Sequence, residues 1–338
     1  MTEQSKIPLP EGEQGKSLFE RAEGSFGGFE GFKPAPVPKE LAEPANRRWK
    51  KPEAKAAPQA DPPAAPVPAP EFPAREPEGS AERITFTAKP QAIDRARLQQ
   101  EGLIVPGGPV TALVEEFRIV KRQILLAARE TRIGGVPGAA QRVLVCSPLP
   151  GEGKTFCATN LALSIAGEKD SEVLLVDADF AKPSVLALLG LSSAGGTTRG
   201  LMDALANPDI SVEDCVIATD VPGLHVLPAG NRTASDSEYL TSNRTAEVLG
   251  RLTHGAANRI VIFDSPPALA ASPAAELAKH CGQALVICRA DQTGQSALED
   301  ALSLLSACPD IKLLLNSANF SPSGRRFGDY YGYGGQGS

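Results

Sequence analysis

The sequence predicts an α/β fold: a mainly parallel sheet with helices on both faces, preceded by an arm that builds no core. Three observations predict it. Beyond Pro137, short β-branched runs alternate with helical stretches, the pattern of strands joined by crossover helices. Two of the apolar runs end in aspartate, where a parallel sheet places its ligand crevice. Half of the prolines fall in the first quarter of the chain, so the packed part is shorter than the whole 338 residues.

Residues 1–84 read as a disordered arm. From Lys33 to Pro77 the chain is rich in Pro, Ala, Glu and Lys and poor in large apolar side chains, and it cannot bury enough surface to offset its conformational entropy. The spacing of Pro34, Pro36 and Pro38 favours extended polyproline stretches. Phe29, Phe32 and Trp49 leave a docking role open beside that of a plain linker. Residues 85–137 form a lead-in with a short helix over 93–103, a break at Gly107, Gly108 and Pro109, and a second helix over 110–128. In that helix Leu113, Phe117, Val120, Ile124 and Leu125 recur at helical steps, and Glu115, Arg118, Lys121 and Arg122 take the other face. Residues 138–322 carry the alternating pattern, with strands over 142–147, 172–177, 224–227, 259–264, 284–289 and 311–316. Helices are expected over 155–166, 237–253, 273–280 and 295–307. Residues 323–338 form a flexible tail in which Gly and Tyr dominate.

Charge and composition narrow the function. A net charge of −6 argues against a nucleic-acid partner, which calls for a basic stripe. The six cysteines form no C-x-x-C pair and mostly sit in apolar runs, as reduced buried thiols in a cytosolic protein do. The N-terminus has no apolar core of a secretory leader, and no run approaches the roughly 20 apolar residues of a spanning helix. The expectation is a cytoplasmic chain that any membrane association reaches through another molecule.

Four motifs carry chemistry. The run SPLPGEGKTF follows a strand and opens a helix, the setting of a phosphate-binding loop. Pro150, Gly151, Glu152, Gly153, Lys154, Thr155 and Phe156 are its expected nucleotide contacts: the glycines admit the phosphates, Lys154 reaches the β- and γ-phosphates, and Thr155 offers a hydroxyl to Mg²⁺. One departure stands out: Pro148 replaces the first glycine of the motif. The run VLLVDADF ends in Asp177 and Asp179. Carboxylates at a buried strand end suggest a metal ligand and a proton acceptor, or a pair capping the next helix. In RIVIFDSPP, Asp264 closes a third strand as a metal-supporting aspartate does. Finally, three of the four tyrosines, Tyr330, Tyr331 and Tyr333, crowd the Gly-rich end, available as substrates or merely part of a low-complexity tail. Asn316, after the last strand, could bond a base edge or start a loop. The histidines show no ligand spacing, and Mg²⁺ is the one metal suggested.

Taken jointly, PGEGKT, VDADFAKPS, FDSPP and the tyrosine tail resemble the bacterial tyrosine autokinases of capsule and exopolysaccharide loci, from about Ala92 onward. LVEEFRIVKRQILLAA and the ending YYGYG look closest to the subgroup found with exosortase, or PEP-CTERM, clusters. The resemblance implies a P-loop NTPase-type fold, ATP and Mg²⁺ as cofactors, and transfer of the γ-phosphate to tail tyrosines of a neighbouring subunit. Lys154, Asp177, Asp179 and Asp264 would be catalytic, with Thr155, Asp179 and Asp264 at Mg²⁺ and Asp177 as the base. The helix motif E-x-x-R-x-x-R, which joins such subunits into a ring, appears as Glu115, Arg118 and Lys121, with Lys in place of the last Arg. The implied partners are a second copy of the chain, a separate membrane activator of the chain-length-regulator class and a tyrosine phosphatase. The expected location is the cytoplasm, peripheral to the inner membrane through a partner. Two rivals remain. A partition- or septum-positioning ATPase would need a signature lysine where Leu149 stands. A nucleotide-sensing subunit of an export complex would bind ATP without catalysis.

Overall fold

The structure, a computed structural model, describes residues 83–130, 138–191, 198–233 and 236–318. The proline-rich arm before residue 83, with Phe29, Phe32 and Trp49, and the tail tyrosines Tyr330, Tyr331 and Tyr333 lie outside the described residues.

In chain order the elements are α1 (Arg95–Gln100), α2 (Ala112–Glu130), β1 (Arg142–Cys146), α3 (Lys154–Ala166), β2 (Glu172–Asp177), α4 (Val185–Leu189), α5 (Leu201–Ala206), β3 (Ile217–Ala218), β4 (Leu224–Leu227), α6 (Asp236–Thr241), α7 (Asn243–Arg251), β5 (Arg259–Asp264), α8 (Pro273–Ala278), β6 (Gln283–Arg289), α9 (Gln295–Leu304) and β7 (Ile311–Asn316). The strands form one sheet in the order β3-β4-β2-β5-β1-β6-β7. Every pairing is parallel except that of β3 with β4. The expected mainly parallel sheet is present, with helices on both faces.

Successive side chains of a strand point to opposite faces, and both faces are covered. Val143, Val145, Val173, Leu175, Ile260 and Ile262 pack under α2 and α3. Leu144, Leu174, Val176, Val261 and Phe263 pack under α5, α7 and α8. β1, β2 and β5 are consequently buried along their whole length. All six cysteines are free and buried; burial pushes the Cys146 and Cys157 thiols up to about 12, so they stay protonated.

Several elements differ from the expectation. The helix expected over 237–253 is two helices, α6 and α7, because Ser242 between them is extended and its hydroxyl donates to the Tyr239 carbonyl. β3, α4 and α5 have no counterpart in the sequence reading; with two to six residues each, they are too short to display a period.

At the end of the sheet where its parallel strands begin, the chain from Arg83 to Gln91 crosses the strand starts. Gln91 bridges Thr219, and the fully buried Arg259 holds the segment. Its guanidinium donates to the carbonyls of Ile84 (2.7 Å) and Leu252 (2.9 Å). It also pairs with Glu172 at 3.0 Å and lies 4.1 Å from the Phe86 ring centroid. Removing this cation leaves the mostly buried Glu172 carboxylate to the half-exposed Arg83, 2.7 Å away, and deletes a fully buried side chain. Arg259→Ala should therefore cost about 3–5 kcal/mol in urea denaturation, and a loss below about 1 kcal/mol would contradict this account.

Candidate active site

The parallel strands end together at the opposite edge. Asp177 and Asp264 are direct neighbours in the β2–β5 register, and Val145, one residue before the end of β1, pairs with Asp264. The loop from Ser147 to Gly153 leaves β1 here and enters α3 at Lys154. Gly151 and Gly153 take φ values of 80° and 97°, which side chains rarely adopt. A Cβ on Gly153 would also lie 2.2 Å from the Asn316 amide nitrogen. No side chain caps the first turn of α3, and no acidic residue occupies it. Its amides and positive dipole end thus face the loop side, as an anion site requires.

The charged groups converge on this end. Lys154 is mostly buried, with Nζ 3.9 Å from Asp179 Oδ2. The Thr155 hydroxyl accepts a long hydrogen bond, 3.4 Å, from Ser184 Oγ. Asp177 accepts from the amides of Ser184 (2.8 Å), Val185 (3.0 Å) and Asp179 (3.3 Å), and so fixes the start of α4. Burial raises its carboxyl to about 6 against the pull of those three amides. The capping role weighed for the aspartate pair therefore belongs to Asp177, while Asp179 stays free to face Lys154 and receives only the Lys182 amide on its Oδ1.

Asp264 is fully buried, and neither carboxylate oxygen has a hydrogen-bond partner. Burial pushes it up to about 7, Asp177 adds to the rise, and the Thr155 hydroxyl and Lys154 oppose it. An orphaned buried carboxylate beside a hydroxyl and a second carboxylate fits a hard divalent cation. Among the described residues no group of three or more His, Cys, Asp or Glu could hold a metal by itself. Thr155, Asp179 and Asp264 are the residues that would hold Mg²⁺.

The side chains of Glu152 and Asn316, two of the expected nucleotide contacts, hydrogen-bond the loop itself. Glu152 is 4% exposed and accepts from the Leu149 amide at 2.7 Å. Asn316 Nδ2 donates to the Glu152 carbonyl at 2.9 Å. Pro150 is exposed at the rim, and Phe156 packs against the core under α3. On α2, Glu115 pairs with Arg118 on the surface. Lys121 turns inward: its Nζ lies 3.2 Å from the Ser164 carbonyl and 2.6 Å from Glu168, both at the far end of α3.

Comparison with known proteins follows this geometry. A family model described as an AAA domain matches residues 145–317, just over half of the chain, from β1 through β7. The chain belongs to this AAA-domain family. Proteins named tyrosine-protein kinase are among its relatives. The tyrosine-protein kinase ptk of Acinetobacter johnsonii is 33% identical over 48% of this chain, and the match spans only 21% of that protein. The tyrosine-protein kinase YwqD of Bacillus subtilis is 28% identical over 64% of this chain and 84% of its own length. Among solved structures, the BceF tyrosine kinase domain superposes with a TM-score of 0.50 at 23% identity, over 69% of this chain and 93% of that one, a likeness of fold. This AAA domain is thus an ATP-binding P-loop domain related to the bacterial tyrosine autokinases.

Three residues of the AAA domain's site escaped the sequence reading. Ser184 lies inside the quoted run VDADFAKPS but has no signature of its own. Arg289, the last residue of β6, and Thr293, in the turn after it, touch the loop through Gly151 and Glu152, a contact that only the sheet order creates. The state of Asp264 gives a test. Folded, it holds its proton to about pH 7, whereas an unfolded carboxyl releases it near 4. Its contribution to stability is therefore complete at low pH and lost as pH rises through this window. Without nucleotide, Asp264→Asn should match the parent near pH 4 and exceed it by on the order of 4 kcal/mol at pH 8, read by urea denaturation. A margin that did not change with pH would rule the burial argument out.

Proposed function

We propose that this chain is an ATP-dependent tyrosine autokinase that phosphorylates Tyr330, Tyr331 and Tyr333 of a second copy of itself. The observation that carries the reading is the convergence of Lys154, Thr155, Asp179 and the unpartnered Asp264 on one phosphate-binding loop, in a chain whose relatives are named tyrosine-protein kinases. Leu149 supports it against a partition-type ATPase, which would need a lysine there.

Phosphoryl transfer relies mainly on positioning and charge stabilisation. The first-turn amides of α3 and the Lys154 ammonium hold the phosphates and face the charge that develops on them. Thr155, Asp179 and Asp264 would hold Mg²⁺, which when bound would supply further positive charge to the phosphate oxygens. Asp177, oriented by three backbone amides, receives the tyrosine hydroxyl. Its raised affinity for a proton still leaves it far below a phenol of pKa about 10, so it aligns the hydroxyl more than it removes the proton early. Each phosphate adds about −1.5 to −2 charge to the tail, and repulsion from the three aspartates releases it.

The same reading extends to the surroundings. Glu115 and Arg118 would serve assembly of copies into a ring. A separate membrane activator of the chain-length-regulator class would switch the kinase on, and a tyrosine phosphatase would reset it. The chain would act in the cytoplasm at the inner membrane through that activator, controlling polymerisation or export of an exopolysaccharide in an exosortase-associated system. Among the described residues no helix is long and apolar enough to cross a membrane.

Mass spectrometry of the C-terminal peptide after incubation with Mg²⁺ and ATP, with an activator fragment present, tests the reading. Phosphate is expected on one or more of the three tyrosines. Lys154→Ala should lower the rate at least about 10²–10³-fold, the usual cost of removing one group that stabilises developing charge. ATP turnover with an unmodified tail would instead favour the partition-type ATPase, and binding without turnover a nucleotide-sensing subunit.

A further inference from the structure

The phosphate loop of this chain is unusually poor in backbone donors. Pro148 stands where the first glycine of the motif belongs and Pro150 follows two residues later, and proline has no N–H. The Leu149 amide between them is already used, donating to Glu152 Oε2 at 2.7 Å. The amides left for an anion are those from Gly151 into α3, so their direction depends on how this short stretch is held.

It is held from the neighbouring strand. Thr293 lies in the turn between β6 and α9, where its amide donates to the Arg289 carbonyl at 3.0 Å. Its hydroxyl accepts from the Arg289 amide at 2.7 Å and donates to Glu152 Oε1. One hydroxyl thus acts as donor and acceptor at once and links the end of β6 to a nearly buried carboxylate, which in turn fixes Leu149. Two further contacts support the same stretch: Arg289 Nη1 to the Gly151 carbonyl at 3.1 Å and Asn316 Nδ2 to the Glu152 carbonyl at 2.9 Å.

We propose that Thr293 is a positioning residue for nucleotide binding, acting through Glu152 to aim the amides of Gly151, Glu152 and Gly153 at the phosphates, in place of the glycine this loop lacks. Serine keeps both hydrogen bonds of the hydroxyl. Valine keeps the shape and loses both, leaving Glu152 with one partner and freeing the loop to turn. The inference rests on the ATP-binding reading of the loop and not on the identity of the phosphate acceptor.

The test is equilibrium binding of a fluorescent ATP analogue with Mg²⁺ to the full chain, beside thermal melting without nucleotide. Thr293→Val should weaken binding about tenfold, equivalent to about 1.4 kcal/mol, with little change in melting temperature. Thr293→Ser should bind within about twofold of the parent. Glu152→Met, which removes both acceptors, should resemble Thr293→Val, and the double variant should be no worse than either, because both break one relay. Parent-like binding by Thr293→Val, failure of serine to rescue, additive effects in the double variant, or a collapse of melting temperature that accounts for the lost binding would each overturn the proposal. A parent protein that binds no nucleotide would overturn the ATP-binding reading itself, and this inference with it.

Discussion

The site depends on a carboxylate placed where none is comfortable. Asp264 ends a central strand flanked by β1 and β2, and neither of its oxygens finds a donor. Water cannot reach it and the protein does not neutralise it, so in the nucleotide-free chain it retains a proton to about pH 7. On the proposed function, a cation arriving with the phosphates would remove that penalty. Lys154 and the Thr155 hydroxyl only partly offset it, which leaves the electrostatics incomplete without a ligand. Such a site gains most from a doubly charged ion carried in on a polyanion.

The same strand carries the opposite problem at its other end. Arg259 opens β5 as a fully buried cation, but its charge is met by two carbonyls, the Glu172 carboxylate and the face of Phe86, with Nε left without a partner. The charge at one end of β5 is paired within the protein; the charge at the other is not. Phe86 of the lead-in and the carbonyl of Ile84, the residue just before that segment, supply two of these contacts, so residues before the first helix belong to the fold of the domain.

Much of this was legible in the sequence, and the remainder failed for identifiable reasons. The six strands of four or more residues, the phosphate loop and the three aspartates lie in runs whose apolar residues and end signals act locally, and the sheet brings them to one edge. The short elements β3, α4 and α5 were missed because two to six residues carry no period. Ser242 splits an expected helix by bonding the Tyr239 carbonyl, one of the alternatives that serine offers a backbone. The hydrogen bonds that reach the loop from Thr293 and Asn316 are set by the strand order β1-β6-β7, which local sequence does not encode. Thr293 was invisible for the same reason.

Lys121 gives the molecule a mechanical property. It joins the surface helix α2 to the last turn of α3 through the Ser164 carbonyl and Glu168. The first residue of α3 is Lys154, and its 13 residues make a rod about 20 Å long. The rod is buried along most of its length. An ammonium group thus ties α2 to the end of α3 remote from the phosphate loop, so the helix that opens the loop is also anchored at its far end.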